Sequence, residues 1–114
     1  MGIALDSLIS HGCIISGGRV IRSVLSPGAR VDSFSEVDSS ILLENVRVGR
    51  HSRVRRAIID AGVHLPENSE IGFDPEADRR AGHLVTSSGL VVVTKSKASP
   101  VFSVDEDSTT AVSA

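Results

Sequence analysis

Aliphatic residues recur along the first two-thirds of the chain at steps of six, with a step of five after every third one. Twelve positions follow this rule: Leu8, Ile14, Val20, Leu25, Val31, Val37, Leu42, Val48, Val54, Ile59, Leu65 and Ile71. Two places before each of them, Asp6 excepted, stands a small residue or at most Val. A step of six matches neither an α-helix nor a coiled coil, so the pattern predicts short strands joined by tight turns.

The whole pattern repeats every seventeen residues. The stretches "RSVLSPGARV", "SSILLENVRV" and "RAIIDAGVHL" begin at residues 22, 39 and 56 and share one rhythm of small, aliphatic and turn residues. Three short strands and three corners make one closed coil, and stacked coils place the aliphatic residues in ladders inside a narrow prism. We therefore predict an all-β, parallel β-helix of about four triangular coils over residues 1–72. The twelve aliphatic residues are expected to be core and to carry no chemistry.

The remaining residues predict a cap and a tail. Residues 73–97 are expected to form a C-terminal cap, with Asp74 as the N-cap and Pro75 as the first residue of a short helix. The apolar run Gly89 to Lys95 predicts one strand that pairs along the prism or covers its end, because a solenoid end exposes strand edges. Residues 98–114 are small, polar and acidic, which predicts a disordered tail.

Composition narrows the class of protein. The net charge of −2 gives no overall basic field for nucleic acid, so no nucleic-acid partner is expected. The single cysteine, Cys13, excludes a disulfide framework and a multi-thiolate metal site, and it fits a reducing, cytoplasmic setting. There is no apolar run of membrane-spanning length and no signal peptide, so no membrane partner is expected either. Three Phe, no Tyr and no Trp fit an interior too narrow for large rings.

Four motifs occur in a specific order: "GCIISGG", "VRVGR", "RRAIID" with a following "PEN" turn, and "SGLVVVTK". Over about residues 5–97 the chain that carries them resembles the C-terminal domain of bacterial ADP-glucose pyrophosphorylase, also called glucose-1-phosphate adenylyltransferase. The resemblance extends to the hexapeptide-repeat proteins, and it implies a left-handed β-helix. The left hand comes from the resemblance alone, since parallel crossovers are right-handed in general.

The resemblance also implies a function. In that family the domain follows an N-terminal nucleotidyltransferase domain, which makes ADP-glucose and pyrophosphate from ATP and glucose 1-phosphate with Mg²⁺ in bacterial glycogen biosynthesis. Nothing in this chain resembles the catalytic domain, so we expect no catalysis and no cofactor here. A regulatory and oligomerisation domain is implied instead. The implied partners are the N-terminal domain, other copies in a homo-oligomer (a homotetramer in the family) and phosphorylated metabolite effectors.

Three residues become effector-binding candidates at the C-terminal end of the resemblance. Lys95 stands where the family carries a basic residue that binds the activator, and Asp60 matches the aspartate of "IID" near the same cleft. The family often has a basic residue directly after "IID" and another four places after the Lys95 position. Ala61 and Ser99 stand there in this chain, and Lys97 is expected to replace part of the missing charge. From spacing alone, the simpler interpretations are that Lys95 is an ordinary surface lysine and that Asp60 is a turn residue.

A group of arginines in the third coil supplies further candidates. Arg47, Arg50, Arg53, Arg55 and Arg56 lie between inward positions and are expected to point outward. Guanidinium groups suit phosphate because they donate two parallel hydrogen bonds. Arg55 and Arg56 are the effector-binding candidates, and a solvated or ion-paired basic face is the alternative.

Other functions of hexapeptide solenoids remain open at this point. An acyltransferase would use one of the four histidines, His11, His51, His64 or His83, as a general base. A zinc-dependent hydratase would need three converging histidines with a close pair in sequence, which the chain lacks. A purely structural oligomerisation module is the third alternative.

Overall fold

The computed structural model describes residues 2–95, which form fifteen short strands and one helix. The strands are β1 Ile3–Leu5, β2 Leu8–Ile9, β3 Ile14–Ile15, β4 Arg19–Ile21, β5 Val24–Leu25, β6 Arg30–Val31, β7 Glu36–Asp38, β8 Ile41–Leu42, β9 Arg47–Val48, β10 Arg53–Arg55, β11 Ala57–Ile59, β12 His64–Leu65, β13 Glu70–Ile71, β14 Leu84–Val85 and β15 Val91–Val93, and the helix is α1 Pro75–Arg80.

Three sheets form the walls of the prism. Sheet A has the strand order β1-β4-β7-β10-β13, sheet B the order β14-β15-β11-β8-β5-β2, and sheet C the order β12-β9-β6-β3. All pairs are parallel except β14 with β15. From β1 to β13, consecutive strands belong to different walls, so the chain winds around the prism and returns to the same wall one coil later. The predicted parallel β-solenoid of about four coils is thereby confirmed.

The ten inward aliphatic residues from Val20 to Ile71 are buried as predicted, with exposed fractions of 0 to 7%. The prediction was wrong for the first coil, where Leu8 and Ile14 point outward and are 69% and 50% exposed. Their neighbours Ile9 and Ile15 occupy the inward positions, sixteen rather than seventeen residues from their partners. The first coil is one residue shorter at the corner before Arg19, and a slip of one residue reverses the face of every side chain in a strand.

Small residues let the chain turn at the corners of the prism, and several of them accept hydrogen bonds from backbone N–H groups there. The hydroxyl oxygens of Ser7, Ser23 and Ser40 each accept a hydrogen bond from the backbone N–H one coil further on, at 3.0 to 3.2 Å. At the corners from sheet C to sheet A, the hydroxyl oxygens of Ser35 and Ser52 accept the same kind of hydrogen bond, both at 3.1 Å. A buried N–H needs a partner, so these serines let the chain turn inward without leaving a donor unpaired.

Each corner also contains a residue with left-handed backbone, stacked coil upon coil. The corner residues from sheet A to B are Asp6, Arg22, Ser39 and Arg56, those from B to C are Gly12, Gly28, Asn45 and Gly62, and those from C to A are Gly17, Phe34, His51 and Asn68. Side chains other than Gly pay a conformational cost there of about 1–2 kcal/mol each. The stacked hydrogen bonds of the coil must offset that cost, which is the usual situation in a repeat protein.

The cap follows the last coil. Asp74 is the N-cap of α1 and accepts hydrogen bonds from the N–H groups of Glu76 and Ala77, and Pro75 is the first helical residue, as predicted. The strand predicted over Gly89 to Lys95 is present but shorter, since β15 covers Val91–Val93 and extends sheet B by pairing with β11. Strand β14, the antiparallel partner of β15, was not predicted. Lys97 and the predicted tail, residues 98–114, lie outside the described residues.

Within residues 2–95, no helix has the length and apolar character needed to cross a membrane.

Candidate functional site

Strand β11 separates the candidate residues into two groups. Arg56 directly precedes this strand and Asp60 directly follows it, so their Cα atoms are about 13 Å apart at about 3.3 Å per residue. Lys95 comes two residues after the parallel strand β15, at the same end as Asp60. The structure therefore places Asp60 and Lys95 at one corner of the prism and Arg55 and Arg56 at another.

Asp60 and Lys95 lie at a tight turn between sheets B and C. The carboxylate of Asp60 accepts a hydrogen bond from the Ala61 N–H at 2.8 Å, and the Asp60 carbonyl accepts one from the Val63 N–H at 3.3 Å. Gly62 has a φ of 77°, which the third position of a type II turn requires. Asp60 thus holds the turn in shape, and Ala61 adds no charge to it.

The ammonium group of Lys95 lies directly over this turn. A Cβ atom at Gly62 would be only 3.1 Å from Lys95 Nζ, so glycine leaves the space that the lysine occupies. Lys95 is exposed, and among residues 2–95 no carboxylate oxygen lies within 4.0 Å of it. A cation free of an acidic partner can accept an anion without first breaking an ion pair.

A cavity of about 530 Å³ opens beside Lys95 at the end of the prism, where sheet C stops at β12. Its walls come from the fourth coil, α1 and β15, and they are apolar apart from a few groups that include His64, His83, Asp78 and Glu70. Asp78 is 2% exposed and accepts a hydrogen bond from the Gly72 N–H at 3.1 Å. Asp78 and His83 could not be predicted as cavity residues, because the start of the helix indicates a cover for this end of the prism but not which of its side chains face the cavity.

Arg56 is engaged by the cap. Its guanidinium group donates to the Ser88 carbonyl at 2.5 Å and lies next to Gly89, in the turn between β14 and β15. Its carbonyl accepts a hydrogen bond from the Val91 N–H at 3.0 Å. Both contacts fasten the hairpin to the last full coil, so Arg56 has a structural role whether or not it also meets an effector.

Arg55 is engaged as well. Its guanidinium carbon lies 4.4 Å from the centroid of the Phe73 ring, and its Nη2 donates to the Gly72 carbonyl at 3.3 Å. Arg53 contacts the same ring at 4.3 Å and pairs with Glu70 at 2.6 Å. Phe73 therefore sits against two cations, an arrangement that stabilises the chain between the last coil and α1.

Asp32 forms ion pairs with the two arginines of sheet C. Its carboxylate, on a residue that is 7% exposed, binds Arg30 at 2.9 Å and Arg47 at 3.1 Å. Burial raises the pKa of Asp32, but hydrogen bonds from both arginines and their positive charges lower it more, so the pKa lies below its ordinary value of 3.8. Of the five arginines of the third coil, only Arg50 has a side chain that makes no ion pair, no contact with an aromatic ring and no hydrogen bond to a carbonyl group within residues 2–95.

The histidines are spread over the surface. His51 stacks on Phe34 with ring centroids 5.0 Å apart, and His64 points outward from β12. In the part of the chain that the structure describes, no three His, Cys, Asp or Glu side chains are arranged to hold a metal ion.

Comparison with known proteins identifies the relatives of this fold and site. A family model described as GlmU-like, C-terminal hexapeptide matches residues 1–93. The glucose-1-phosphate adenylyltransferase of Koribacter versatilis is 62% identical over 95 residues, which are 83% of this chain and 22% of that protein. The enzyme of the same name from Rhodopirellula baltica is 55% identical over 102 residues, 88% of this chain and 23% of that protein. The chain thus spans between a fifth and a quarter of the length of these curated relatives, and it belongs to the GlmU-like C-terminal hexapeptide family.

Proposed function

We propose that this chain is the regulatory and oligomerisation domain of a glucose-1-phosphate adenylyltransferase. The observation that carries the proposal is its identity of 62% over 95 residues with a relative of that name, of which it covers 22%. In this proposal, a nucleotidyltransferase domain elsewhere in the polypeptide forms ADP-glucose and pyrophosphate from ATP and glucose 1-phosphate. Mg²⁺ belongs to that domain, and the enzyme works in the cytoplasm as a homo-oligomer for glycogen biosynthesis.

The anion of a phosphorylated effector binds at the corner formed by Asp60 and Lys95. Lys95 supports this assignment because it is exposed and has no carboxylate partner among residues 2–95. Asp60 contributes by holding the turn under the lysine through the Ala61 N–H. Lys97, two residues further along the sequence and outside the described residues, remains an effector-binding candidate by its place in the sequence. The ligand class is a phosphorylated metabolite or nucleotide, since an ammonium group binds phosphate as a point charge.

Arg55 and Arg56 contribute positive potential from the other end of β11. Their hydrogen bonds to the Gly72 and Ser88 carbonyls are made within the domain. Loss of either side chain is therefore expected to loosen the cap as well as to weaken effector binding, whereas loss of the Lys95 amine should affect binding alone.

The test is Lys95→Ala in the full-length enzyme, with Arg50→Ala as the matched control because Arg50 is also an exposed cation without an ion pair in residues 2–95. Activity is measured against fructose 1,6-bisphosphate, 3-phosphoglycerate and AMP. A charge-assisted hydrogen bond contributes about 1.5–3 kcal/mol, so the half-saturating concentration of the effector should rise about tenfold or more in Lys95→Ala. It should stay unchanged in Arg50→Ala.

An unchanged response to the effectors in Lys95→Ala would show that Lys95 does not bind the effector. If the full-length protein had no adenylyltransferase activity, the proposed function itself would be wrong.

A further inference from the structure

The three walls of the prism end differently after the fourth coil. Sheet B continues past β11, because β15 pairs with it and the Asp60 N–H donates to the Val93 carbonyl at 2.8 Å. In sheet A, the chain that leaves β13 is capped by α1, since the Gly72 N–H donates to the Asp78 carboxylate at 3.1 Å. Sheet C stops at β12, and within residues 2–95 no strand pairs with the far edge of β12.

The open edge of β12 presents the backbone of His64. In β9 and just after it, the Arg47 N–H donates to the Val63 carbonyl at 3.0 Å and the Gly49 N–H donates to the Leu65 carbonyl at 2.9 Å. Successive residues of a parallel strand direct their N–H and C=O groups to opposite sides, so those of His64 point away from β9. In the described part of the chain the His64 N–H has no acceptor. A strand edge of this kind is a template for a further strand.

The apolar core is open beside this edge. Val63, Leu65 and Ile71 of the fourth coil are 9, 7 and 5% exposed, whereas the inward aliphatic residues from Val20 to Val54 are 0 to 1% exposed. The three residues line the cavity of about 530 Å³ together with residues of α1 and β15. Each coil of a solenoid buries its apolar edge only against its neighbours. The cavity therefore lies where the sheet C strand of a fifth coil would run.

The chain itself leads to that position. In each of the four coils, the sheet C strand starts five residues after the sheet B strand ends, as from Ile59 to His64. Strand β15 ends in sheet B at Val93, and Lys95, the last residue that the structure describes, lines the cavity. The same winding would carry the following residues over the open edge of β12.

One stretch after β15 has the composition of a strand. Residues 101–104, Val-Phe-Ser-Val, are the only place in residues 96–114 where three apolar residues larger than Ala fall within four positions. Val and Phe favour strands. Residues 105–107 are acidic, and charges of this kind protect an edge strand from further pairing. Pro100 has no N–H, but a parallel partner of His64 needs only its carbonyl.

We infer that residues 101–104 bind parallel to β12 of the same chain, as a fifth strand of sheet C, and close the end of the prism. In this arrangement the His64 N–H donates to the Pro100 carbonyl, and Phe102 packs on Leu65 in the cavity. The corner after β15 is three residues longer than the others, which costs little because loop-closure entropy grows slowly with length. The inference goes beyond the proposed function and does not depend on it.

Hydrogen exchange in the full-length protein, followed by mass spectrometry with fragmentation, tests the inference at the His64 amide. This amide should exchange at least tenfold more slowly in the wild type than in Phe102→Asp, which puts a charge into the apolar cavity. Thr109→Asp adds the same charge beyond the stretch, and as the matched control it should exchange like the wild type. The Arg47 amide, already bonded to the Val63 carbonyl, should be equally protected in all three proteins.

Disulfide formation gives a second measurement that leaves the cavity side chains unchanged. Cys13 is the only cysteine of the chain, so the pairs are made in a Cys13→Ser background. With an added thiol oxidant, His64→Cys and Val101→Cys should form a disulfide, because paired residues of neighbouring strands lie about 5 Å apart. Arg47→Cys with Val101→Cys is the control, one strand further away, and its disulfide should form at least tenfold more slowly. Peptide mapping identifies each bond.

Three results would overturn the inference. Fast exchange of the His64 amide in the wild type would mean that no strand pairs with β12. Protection that persists in Phe102→Asp would mean that another part of the polypeptide, or a second copy, covers the edge. In a mixture of isotope-labelled and unlabelled protein assembled together, a disulfide between positions 64 and 101 that joins peptides of different isotope content would mean that the stretch binds a second copy.

Discussion

Gly72 packs directly against the backbone of Arg55 in the coil before it. It has a φ of 89°, and a Cβ atom there would overlap the Arg55 carbonyl oxygen. Its N–H donates to Asp78, which joins the coil to α1. Both backbone geometry and space therefore require glycine at this position.

Gly72→Ala should destabilise the domain by about 3 kcal/mol or more, because left-handed strain and a backbone clash add together. Gly82→Ala is the matched control: Gly82 has a similar φ of 92°, but a Cβ atom there would have no neighbour within 4 Å. The control should cost only about 1–2 kcal/mol. Urea unfolding monitored by circular dichroism measures both, and equal losses would contradict the steric argument.

Asp32 links two coils through one carboxylate and its two arginines. A folded-state pKa below the unfolded value means that the stabilisation is present above about pH 3.8 and is lost as the pH falls through the lower, folded-state pKa. Asp32→Asn should therefore lower the melting temperature at pH 7, and the difference from the wild type should shrink below about pH 3.8.

Glu36→Gln is the control for Asp32→Asn, since Glu36 pairs with Arg19 on the surface with 41% of its side chain exposed. An exposed pair contributes little, so this variant should melt close to the wild type at every pH. A gap between Asp32→Asn and wild type that is as large at pH 3 as at pH 7 would show that the charge of Asp32 is not what stabilises the coils.

At the scale of elements, two-residue strands hold together because corner serines supply the hydrogen bonds that the strands are too short to provide. The Ser40 hydroxyl accepts from the Ala57 N–H at 3.2 Å and donates to the Asp38 carbonyl at 2.8 Å, and Ser40 is 2% exposed. The serines connect coil to coil at right angles to the chain, which is the direction in which a solenoid has no covalent links.

Ser40→Ala leaves the Ala57 N–H buried without its partner, which should cost about 1–3 kcal/mol in the free energy of unfolding. Ser26→Ala is the control, because the Ser26 hydroxyl makes no hydrogen bond within the described residues, and it should cost less than about 0.5 kcal/mol. Chemical denaturation distinguishes the two. Similar losses of stability in both variants would show that packing, and not the hydrogen bonds of the Ser40 hydroxyl, accounts for the effect.

For the whole molecule, the spacing of aliphatic residues predicted the walls and the coil number because every coil after the first obeys the same seventeen-residue rule. It failed at Leu8 and Ile14, since each is followed by a second aliphatic residue and the spacing alone does not say which of the pair points inward. At Ile41–Leu42 and Ile58–Ile59 the same spacing chose the inward residue correctly, since Leu42 and Ile59 are fully buried. The left hand of the coil stays a prediction from family resemblance.

The candidate site was predictable only in part. The turn at Asp60 and the strand before Lys95 follow from their sequences, and β15 brings them to one corner by pairing with β11. The roles of the arginines depend on partners far away in the chain: Arg56 meets Ser88, 32 residues later, and Arg55 meets Gly72, 17 residues later. No local pattern encodes such pairs.

The register of β15 on β11 has a consequence for how this domain was assembled. Ala57 is paired with Val91, a separation of 34 residues, which is twice the 17-residue coil. The segment with α1 and β14 is therefore an insertion of one coil length, after which the chain rejoins sheet B with every side chain on its proper face. The cap can thus be regarded as a removable module, and a version lacking one coil length between β13 and β15 would close the prism with the same register.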